Sequence, residues 1–450
     1  MVKQSIIQQV KKIAEVIKDE GGRAYYVGGF VRDKFTGMPN KDIDIEIFRI
    51  EKKQLFDILS EFGKVEEVGS SFGVYKIHGL DIDFSLPRTE YKNGKGHKGF
   101  EIEVDPYLST LSATKRRDFT MNSIMQDVLT GQLIDHHNGI DDIGNGIIRH
   151  TDPSTYIEDE LRILRAAQFA SRFDFKVDKE TIELSKSFNL QLLAKERLYE
   201  ELMKALLKGK KPSIFFNIID ETGLIDQLIP GMTQLKSIEQ NPVFHPEGSV
   251  WNHTMMVLDK AAELREFSND PEVLMLSALF HDFGKVKTTK FDEAKGRIIS
   301  VGHESVDLST VIESIVLNKK LSKKVQNVIR LHMRPNTYAM NNSKIKAVRK
   351  LYVESGENFK ELMLLSKADA IGRGIDYDYS QIEKWWDEKI IQIESFDFKP
   401  IINGNDLIAM GLTPSPLFKE LLEKAYDMQM GGCNYLAIMG TLKQIIKERA

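Results

Sequence analysis

The sequence predicts a multidomain α+β protein in which a mixed head is followed by a mostly helical body. At 450 residues the chain exceeds what one hydrophobic core usually organises. Up to about residue 150, short apolar runs such as "AYYV", "DIDIEIF" and "VYKIHG" are broken by glycine and proline turns. From about residue 155 the apolar residues recur at helical spacing. We therefore expect a head at 1–150, a helical neck at 151–240, a further helical domain at 241–395 and a helical tail at 396–450.

The composition is that of an ordinary globular chain. Hydrophobic residues make up 42% and charged residues 28%, which argues against a disordered or fibrous protein. The single cysteine, Cys433, excludes an intramolecular disulfide and predicts a reducing, cytoplasmic compartment. We find neither the apolar core of a signal peptide nor the roughly 18 apolar residues that a membrane span requires, so no membrane partner is expected. A net charge of −4 gives no global attraction to nucleic acid, so phosphate binding must come from local clusters.

The first chemical feature is a pair of carboxylates on the predicted strand "KDIDIEIF". Side chains alternate faces along a strand, so Asp42, Asp44 and Glu46 point one way while the isoleucines point into the core. Hard oxygen ligands with this spacing suit Mg²⁺, and a pair of such ions could activate a hydroxyl and stabilise a pyrophosphate leaving group. Taken alone, the same pattern also fits an edge strand with a solvated acidic face. Asp81 and Asp83, on another predicted strand, could add a third ligand.

The stretch "VGGFVRD" upstream of the acidic strand predicts phosphate binding. Gly28 and Gly29 let phosphate oxygens approach the backbone at an expected helix N-terminus. Arg32 would then hold a phosphate. No GxxxxGK[ST] sequence occurs, so a P-loop is excluded. The combination of two glycines, an arginine and the later acid pair therefore predicts a site for a nucleoside triphosphate with its metal ions.

A long polar loop, "RTEYKNGKGHKGFEIEVDPYLS", and the basic stretch "KRRDFTMNS" come next in the head. Loops of this length are usually functional or mobile. Arg116 and Arg117 supply planar, bidentate donors for phosphate, although either could instead pair with a surface acid. The basic stretch is therefore a second candidate for nucleotide binding.

Three charged residues in "EDELRILR" could read a nucleobase. Asp159, Arg162 and Arg165 are three positions apart in turn and would lie near one helix face. Arginine only donates hydrogen bonds and ionised aspartate only accepts them. Cytosine and adenine both present an amino donor beside a ring-nitrogen acceptor, whereas guanine and uracil present the reverse. One such pair could accept CTP and ATP and refuse GTP and UTP, although a surface ion pair is the usual meaning of this spacing.

Taken together, these stretches resemble the class II tRNA nucleotidyltransferases, that is, the CCA-adding enzymes and bacterial poly(A) polymerases of the DNA polymerase beta superfamily. The resemblance is carried by "GGFVRDKFTGMPNKDIDIEIF", "RTEYKNGKGHKGF", "RRDFTMNS", "EDELRILRAAQFASRF" and "ERLYEELMKALL", in the family's order between about residues 25 and 207. It implies a polymerase-beta-like head made of a small mixed sheet with helices. The loop after Arg88 resembles the family's flexible element, which allows the switch from C to A addition. The family often has alanine where this chain has Ser123, a small-for-small change.

The resemblance also implies roles for individual residues. Asp42 and Asp44 would be the catalytic residues that bind Mg²⁺. The nucleotide would be bound by Gly28, Gly29, Arg32, Arg116, Arg117, Asp118, Asp159, Arg162 and Arg165. The expected partners are tRNA, CTP and ATP.

Spaced histidines and acids in the helical body predict a second metal site. The stretches "HPEGSVWNHT", "ALFHDFGK", "GHESVDLS", "RLHMRP" and "SKADAIGR" resemble the HD phosphohydrolase domain that is fused to many bacterial CCA-adding enzymes. In this pattern a divalent metal would be held by His253, His281, Asp282 and Asp369. Imidazole and carboxylate ligands together lower the pKa of a bound water for attack on a phosphoester. His303 and His332 could extend the site or contact a phosphate.

These patterns predict an enzyme that adds CMP and AMP to the 3′ end of tRNA without a template, with an HD domain that acts as a phosphatase or 2′,3′-cyclic phosphodiesterase. One alternative is an A-adding enzyme or poly(A) polymerase, which shares every head motif. An alternative of another class is an HD phosphohydrolase whose head binds nucleotide or RNA without catalysis. Intact Asp42, Asp44 and Arg32 disfavour the latter.

Overall fold

The computed structural model describes residues 4–40, 42–68, 73–92, 100–375 and 377–449. The chain forms two compact units. The first extends to Thr233 and includes Ser314–Leu317, and the second comprises Gln234–Glu313 and the chain from Asn318 onward. The first contains a mixed sheet with helices, whereas the second is mostly helical. The predicted order of an α+β head and a helical body is confirmed, while the finer division into four domains stays a prediction.

A mixed sheet of seven strands forms the centre of the head. The strands of the head are β1 (Arg23–Val27), β2 (Ile43–Phe48), β3 (Val65–Val68), β4 (Val74–Ile77), β5 (Ile82–Ser85), β6 (Arg88–Lys92), β7 (Phe100–Val104), β8 (Met125–Asp127) and β9 (Leu133–Ile134). The order in the sheet is β3-β4-β5-β2-β1-β8-β9, and β6 and β7 form a separate antiparallel pair. Strand β2 lies between β1, to which it is antiparallel, and β5, to which it is parallel. The acidic strand is therefore an interior strand, and its alternative reading as an edge strand is wrong.

Helices form the rest of the first unit. They are α1 (Gln4–Asp19), α2 (Gly29–Thr36), α3 (Lys52–Ser60), α4 (Thr110–Lys115), α5 (Gly139–Gly144), α6 (Pro153–Tyr156), α7 (Leu161–Phe173), α8 (Lys179–Ser185), α9 (Lys195–Lys208), α10 (Pro212–Glu221) and α11 (Ile225–Leu228). Two short strands, β10 (Ile147–Ile148) and β11 (Lys176–Val177), pair in parallel. Helix α7 packs against both α9 and α10, and most of its residues are buried. It therefore forms the core of the region that follows the sheet.

The sequence of β2 explains its interior position. Ile43, Ile45 and Ile47 are buried, as β-branched residues on the core face of a strand should be. Asp44 and Glu46 alternate with them and share the opposite face. One face of the strand thus stabilises the sheet while the other carries acids.

The second unit is built from helices and one short hairpin. Its helices are α12 (Val250–Leu264), α13 (Pro271–Phe280), α14 (Lys285–Thr288), α15 (Ser309–Ile315), α16 (Lys319–Leu331), α17 (Met333–Met340), α18 (Ile345–Ser355), α19 (Phe359–Ile371), α20 (Ser380–Glu394), α21 (Gly404–Ala409), α22 (Pro416–Met430) and α23 (Tyr435–Arg449). The hairpin pairs β12 (Lys290–Asp292) with β13 (Arg297–Ile299). Helix α13 is apolar on all sides and is surrounded by α12, α16 and α19. Of the histidines and acids discussed below, His253 lies on α12 and Asp369 on α19, while His281 and Asp282 directly follow α13 and His332 directly follows α16.

The last helices have a small core of their own. Its buried residues are Ile402, Leu407, Leu421, Ala425, Ile438 and Leu442. Among the described residues, no helix has the length and apolar character that crossing a membrane would demand.

Candidate active site and metal centre

The glycine pair lies against the acidic strand. Gly28 has a φ of +64° and caps α2, which begins at Gly29. A Cβ atom at Gly28 would lie 3.4 Å from Asp44 Oδ2 and 3.6 Å from Arg117 Nη1. Glycine is therefore suited to this position both by its backbone conformation and by the closeness of charged side chains. The first turn of α2 leaves backbone N–H groups available to an anion beside Asp44.

The two predicted catalytic acids differ in their surroundings. Asp42 is exposed and precedes β2 by one residue, whereas Asp44 is half-buried within the strand. Asp44 is paired in register with Asp83 of β5. Burial raises the pKa of Asp44, and the neighbouring Asp83 carboxylate raises it further, against the effect of Arg117. A divalent cation bound by these carboxylate oxygens would relieve their mutual repulsion, so the residues present fit an oxygen-ligated metal.

A buried glutamate fixes the two arginines of the basic stretch. Glu46 is completely buried and accepts hydrogen bonds from Nη2 of Arg116 at 3.0 Å and Nη2 of Arg117 at 3.3 Å. The arginine side chains are only 20% and 16% exposed. Sequence analysis placed Glu46 on the acidic face but missed this role. The alternation along the strand put Glu46 on the same side as Asp44 but gave no signal for its partners.

We expect replacement of Glu46 by glutamine to destabilise the head by about 2 to 3 kcal/mol, because two guanidinium groups would lose a charged acceptor while retaining some access to water. Hydrogen exchange of peptides from β1 and β2 would measure the loss. Tryptophan fluorescence would not report it, since Trp251, Trp385 and Trp386 all lie in the second unit.

The matched control is Glu66→Gln, which changes an exposed acid on β3 of the same sheet and should alter stability by less than about 0.5 kcal/mol. Equal protection of β1 and β2 in the two variants would contradict a stabilising role for Glu46.

Arg32 is held inside the head. It is 5% exposed, and its guanidinium lies over the rings of Phe169 and Phe173 at 5.0 and 5.1 Å. Nε donates to Asp33 Oδ1 at 2.7 Å and Nη1 donates to Asn122 Oδ1 at 2.8 Å. Burial lowers the pKa of Arg32, and Asp33 opposes that effect. The predicted phosphate-binding arginine is thus already held by two side chains of the protein.

Asp118 and Arg165 form a close ion pair. Nε and Nη2 of Arg165 donate to Asp118 Oδ2 at 2.9 and 2.6 Å. Asn122 Nδ2 donates to the other carboxylate oxygen at 2.9 Å. Burial alone would raise the pKa of Asp118, but Arg165 and Asn122 outweigh it, and the pKa lies below its ordinary value. Asp118 therefore stays ionised beneath the side chain of Arg165.

The expected helix face of Asp159, Arg162 and Arg165 needs correction. Helix α7 begins at Leu161, so Asp159 precedes it and accepts a hydrogen bond from the Leu161 N–H at 3.1 Å. Its other oxygen accepts from Arg197 Nη2 at 3.3 Å. The Asp159 carboxylate accepts from an N–H at the helix start that has no partner within the helix. Such a bond between side chain and backbone favours ending the helix here over extending it by another turn.

Arg162 is tied to the backbone of the basic stretch. It donates to the carbonyl of Thr155 at 2.7 Å and to the carbonyl of Arg116 at 3.0 Å. Arg162 therefore contacts the segment at residues 116–118. The side chains of Asp159, Arg162 and Arg165 each form hydrogen bonds to different residues.

A cavity of about 470 Å³ joins the glycine pair to α7 and α9. Of the predicted residues it is lined by Gly29, Arg32, Asp42, Asp44 and Arg165. Sequence analysis did not select the remaining lining residues, which are Asp33, Pro39, Asn40, Gln168, Phe169, Arg172, Lys204 and Lys208. The volume suits a nucleotide-sized ligand. A signal for part of this wall was present, because residues 165, 168, 169 and 172 follow the spacing of one helix face.

The second unit gathers its predicted metal ligands around buried helix ends. Ligand atoms of His253, His281 and Asp369 lie within 4.8 Å of one another, and so do those of Asp282, His303 and His332. All of these residues are buried. The structure thus brings the predicted ligands together and adds both further histidines.

Hydrogen bonds orient three of these imidazoles toward the centre. The Nδ1 atoms of His281, His303 and His332 lie 2.9, 2.8 and 2.6 Å from backbone carbonyls three residues earlier. Each Nδ1 must therefore donate, which leaves the lone pair on Nε2. Those Nε2 atoms are buried and make no hydrogen bond to any described residue. Buried nitrogens without a donor are costly, and a divalent metal would satisfy them, so the residues present fit such an ion.

Asp282 lies between the two groups of ligands. Its carboxylate oxygens are 3.4 Å from His281 Nε2 and 3.2 Å from His303 Nε2. Lys285 donates to Asp282 Oδ2 at 2.7 Å and to Gln240 Oε1 at 2.7 Å. Asp282 is thus the point at which the ligand groups and a buried ammonium meet.

Glu247 supports the ligand on α12. Its Oε1 lies 2.8 Å from Nδ1 of His253 and 2.9 Å from Nδ1 of His245. Burial would raise the pKa of Glu247, but the imidazoles of His245 and His253 lower it to about 2. The carboxylate directs His253 Nε2 toward Asp369, 3.0 Å away. The motif "HPEGSVWNHT" contains Glu247 but did not predict that it orients His253.

Comparison with known proteins matches both parts of the chain to known domain families. Residues 24–149 match the family described as Poly A polymerase head domain, and residues 250–374 match the HD domain. Residues 174–236 match the family described as Probable RNA and SrmB-binding site of polymerase A. Fold and site together define a nucleotidyltransferase joined to an HD domain.

Among similar curated proteins is the Multifunctional CCA protein of Pasteurella multocida, 30% identical over 89% of this chain and 94% of the relative. The Multifunctional CCA protein of Mannheimia succiniciproducens is 33% identical over 78% of this chain and 84% of the relative. The chain belongs to the family of the multifunctional CCA proteins, and the resemblance drawn from its motifs is confirmed.

Solved structures show the same fold. The Bacillus stearothermophilus CCA-adding enzyme in complex with CTP has a TM-score of 0.68 at 20% identity, with 99% of each chain covered. The Thermotoga maritima CCA-adding enzyme complexed with tRNA has a TM-score of 0.64 at 19% identity, covering 99% of this chain and 96% of that one.

Proposed function

We propose that this enzyme adds CMP and AMP from CTP and ATP to the 3′ end of tRNA without a template, in the cytoplasm. The observation that carries the proposal is the placement of Asp44 beside the glycine pair, on one cavity with Asp42 and the cationic faces of α7 and α9. In the reaction the terminal RNA hydroxyl attacks the α-phosphorus, the bond to the β-phosphate breaks, and pyrophosphate leaves. The relatives named Multifunctional CCA protein support this substrate class.

Asp42 and Asp44 are proposed to hold Mg²⁺, with Asp83 as a neighbouring carboxylate. The bound ions would supply activation of the hydroxyl and charge stabilisation of the leaving pyrophosphate. The N–H groups at the start of α2 would donate hydrogen bonds to phosphate oxygens. Arg172, Lys204 and Lys208 line the same cavity and would neutralise the remaining phosphate charge.

Base selection is assigned to the start of α7 and the segment directly before it. In this proposal Asp159 accepts from the amino group of cytosine or adenine, and Arg162 donates to the ring nitrogen. Arg162 donates to the carbonyl of Arg116, so the guanidinium that reads the base would keep a fixed position relative to residues 116–118. Arg116, Arg117 and Asp118 complete the proposed nucleotide-binding set.

The HD centre is proposed to hydrolyse phosphoesters such as 2′,3′-cyclic and 2′-phosphate groups. His253, His281, Asp282 and Asp369 would hold a divalent metal, with His303 and His332 offering further nitrogen ligands. The metal would lower the pKa of a bound water. We assign catalysis of nucleotide addition to 1–150, base selection and RNA binding to 151–240, hydrolysis to 241–395 and a supporting role to the tail at 396–450.

The proposal is tested by incubating the purified chain with tRNA that ends at the discriminator base, Mg²⁺, and CTP, ATP or both. Products are sized at single-nucleotide resolution. We expect addition with both nucleotides to stop once CCA is complete. Addition of A alone would favour an A-adding enzyme or poly(A) polymerase. Absence of addition, together with hydrolysis of a 2′,3′-cyclic phosphate, would favour a phosphohydrolase with a non-catalytic head.

A further inference from the structure

A continuous chain of side-chain hydrogen bonds runs from the head to helix α7. In order, its members are Asn40, Asp33, Arg32, Asn122, Asp118 and Arg165. At one end, Asn40 Oδ1 accepts from the backbone N–H of Asp42 at 2.9 Å. At the other end, Arg165 lines the nucleotide cavity. The chain thus connects the loop of a catalytic acid to the opposite cavity wall.

Asn122 is the middle member and joins two ion pairs. Its Oδ1 accepts from Arg32 at 2.8 Å, and its Nδ2 donates to Asp118 at 2.9 Å. A carboxamide carries both an acceptor and a donor, so it can serve a cation and an anion at once. A carboxylate would repel Asp118, and an alkyl group would leave both charged partners short of a hydrogen bond. The residue type is therefore set by its two neighbours.

The partners of Asn122 are rigidly held. Asn122 is 7% exposed and Arg32 is 5% exposed, so neither exchanges freely with water. Arg32 is fixed to Asp33 and over two phenylalanine rings, while Asp118 is fixed by two bonds from Arg165. A displacement of Arg165 would therefore be passed through Asn122 to Arg32 and Asp33, and from there through Asn40 to the loop at Asp42.

We propose that Asn122 is a positioning residue that couples the nucleotide-selecting wall at Arg165 to the catalytic loop at Asp42. The inference rests on the proposed nucleotidyltransferase function of the head. Asn122 itself does not line the nucleotide cavity. A nucleotide that places Arg165 correctly also places Asp42 correctly. The correct base is therefore added with a higher kcat than an incorrect one. Without the connection, alignment of Asp42 no longer depends on which base is bound.

The test measures kcat and KM for CTP and UTP with a tRNA acceptor in N122D, N122A and N122Q. We expect N122D and N122A to lower kcat for CTP by about tenfold while KM changes by less than about threefold. The CTP-to-UTP ratio of kcat/KM should fall by about tenfold. N122Q keeps the carboxamide and should restore part of the ratio relative to N122A. If N122D fails to fold, N122A and N122Q give the same comparison.

The matched control is S123A, which removes a buried hydroxyl that donates to the Thr120 carbonyl at 2.7 Å. It perturbs the adjacent residue without touching the chain and should leave the CTP-to-UTP ratio unchanged. Equal loss of CTP and UTP addition in the Asn122 variants, or a change in KM alone, would overturn the inference. A wild-type protein that adds no nucleotide would instead contradict the proposed function.

Discussion

Replacing Asp44 by asparagine will abolish nucleotide addition, with a loss of about a thousandfold or more, while hydrolysis in the second unit continues. Asn has the shape of Asp but lacks the charge that binds a divalent cation. Asp44 lies beside both the glycine pair and Asp83, so no other acid in that register position can take its place. The measurement is single-turnover extension of tRNA with CTP, alongside hydrolysis of a 2′,3′-cyclic nucleotide by the same preparation.

Glu66→Gln is the control for this experiment. Glu66 is an exposed acid on β3 of the same sheet, and its loss should change the extension rate by less than about twofold. Extension at the wild-type rate by Asp44→Asn would place the catalytic metal elsewhere. Loss of both extension and hydrolysis would contradict two independent centres.

Replacing Asp282 by asparagine should have the converse effect. Asp282 lies within 3.6 Å of imidazole nitrogens of His253, His281 and His303 and accepts from Lys285. Removing its charge leaves a buried ammonium without its carboxylate and removes the proposed carboxylate ligand of the group that also contains His303 and His332. We expect hydrolysis to fall by about a thousandfold and the metal content of the purified protein to fall with it, while nucleotide addition continues.

Elemental analysis of the dialysed protein supplies a readout that does not depend on activity. Asp387→Asn, which alters an exposed acid on α20 of the same unit, should retain both the metal and the hydrolysis. Wild-type metal content in Asp282→Asn would exclude Asp282 as a ligand. Loss of the metal with unchanged hydrolysis would show that the metal is not needed for catalysis.

The features that sequence predicted well are those with a local period. Alternation along β2 placed its isoleucines in the core and its acids on the other face, as observed. The glycine pair predicted the start of α2 because few other residues tolerate a φ of +64° at that point. The spaced histidines of the second unit converge as their motif implied.

The features that sequence missed depend on distant partners or on local competition for hydrogen bonds. Nothing near Glu46 in the chain indicates that it pairs with arginines 70 and 71 residues away. The start of α7 was misplaced because the Asp159 side chain bonds to the backbone instead of continuing a helical face. The expected flexible element includes residues 93–99, which lie outside the described part of the chain.

The different ligand atoms of the two centres have a consequence for control by metal supply. Among the described residues, the proposed ligands in the head are carboxylate oxygens, which Mg²⁺ prefers, whereas the second unit offers imidazole nitrogens already turned toward a common point by backbone carbonyls. Nitrogen-rich sites favour later first-row transition metals over alkaline-earth ions. On the proposed roles, phosphoester hydrolysis would therefore respond to the concentration of a trace metal, whereas nucleotide addition would respond to that of magnesium.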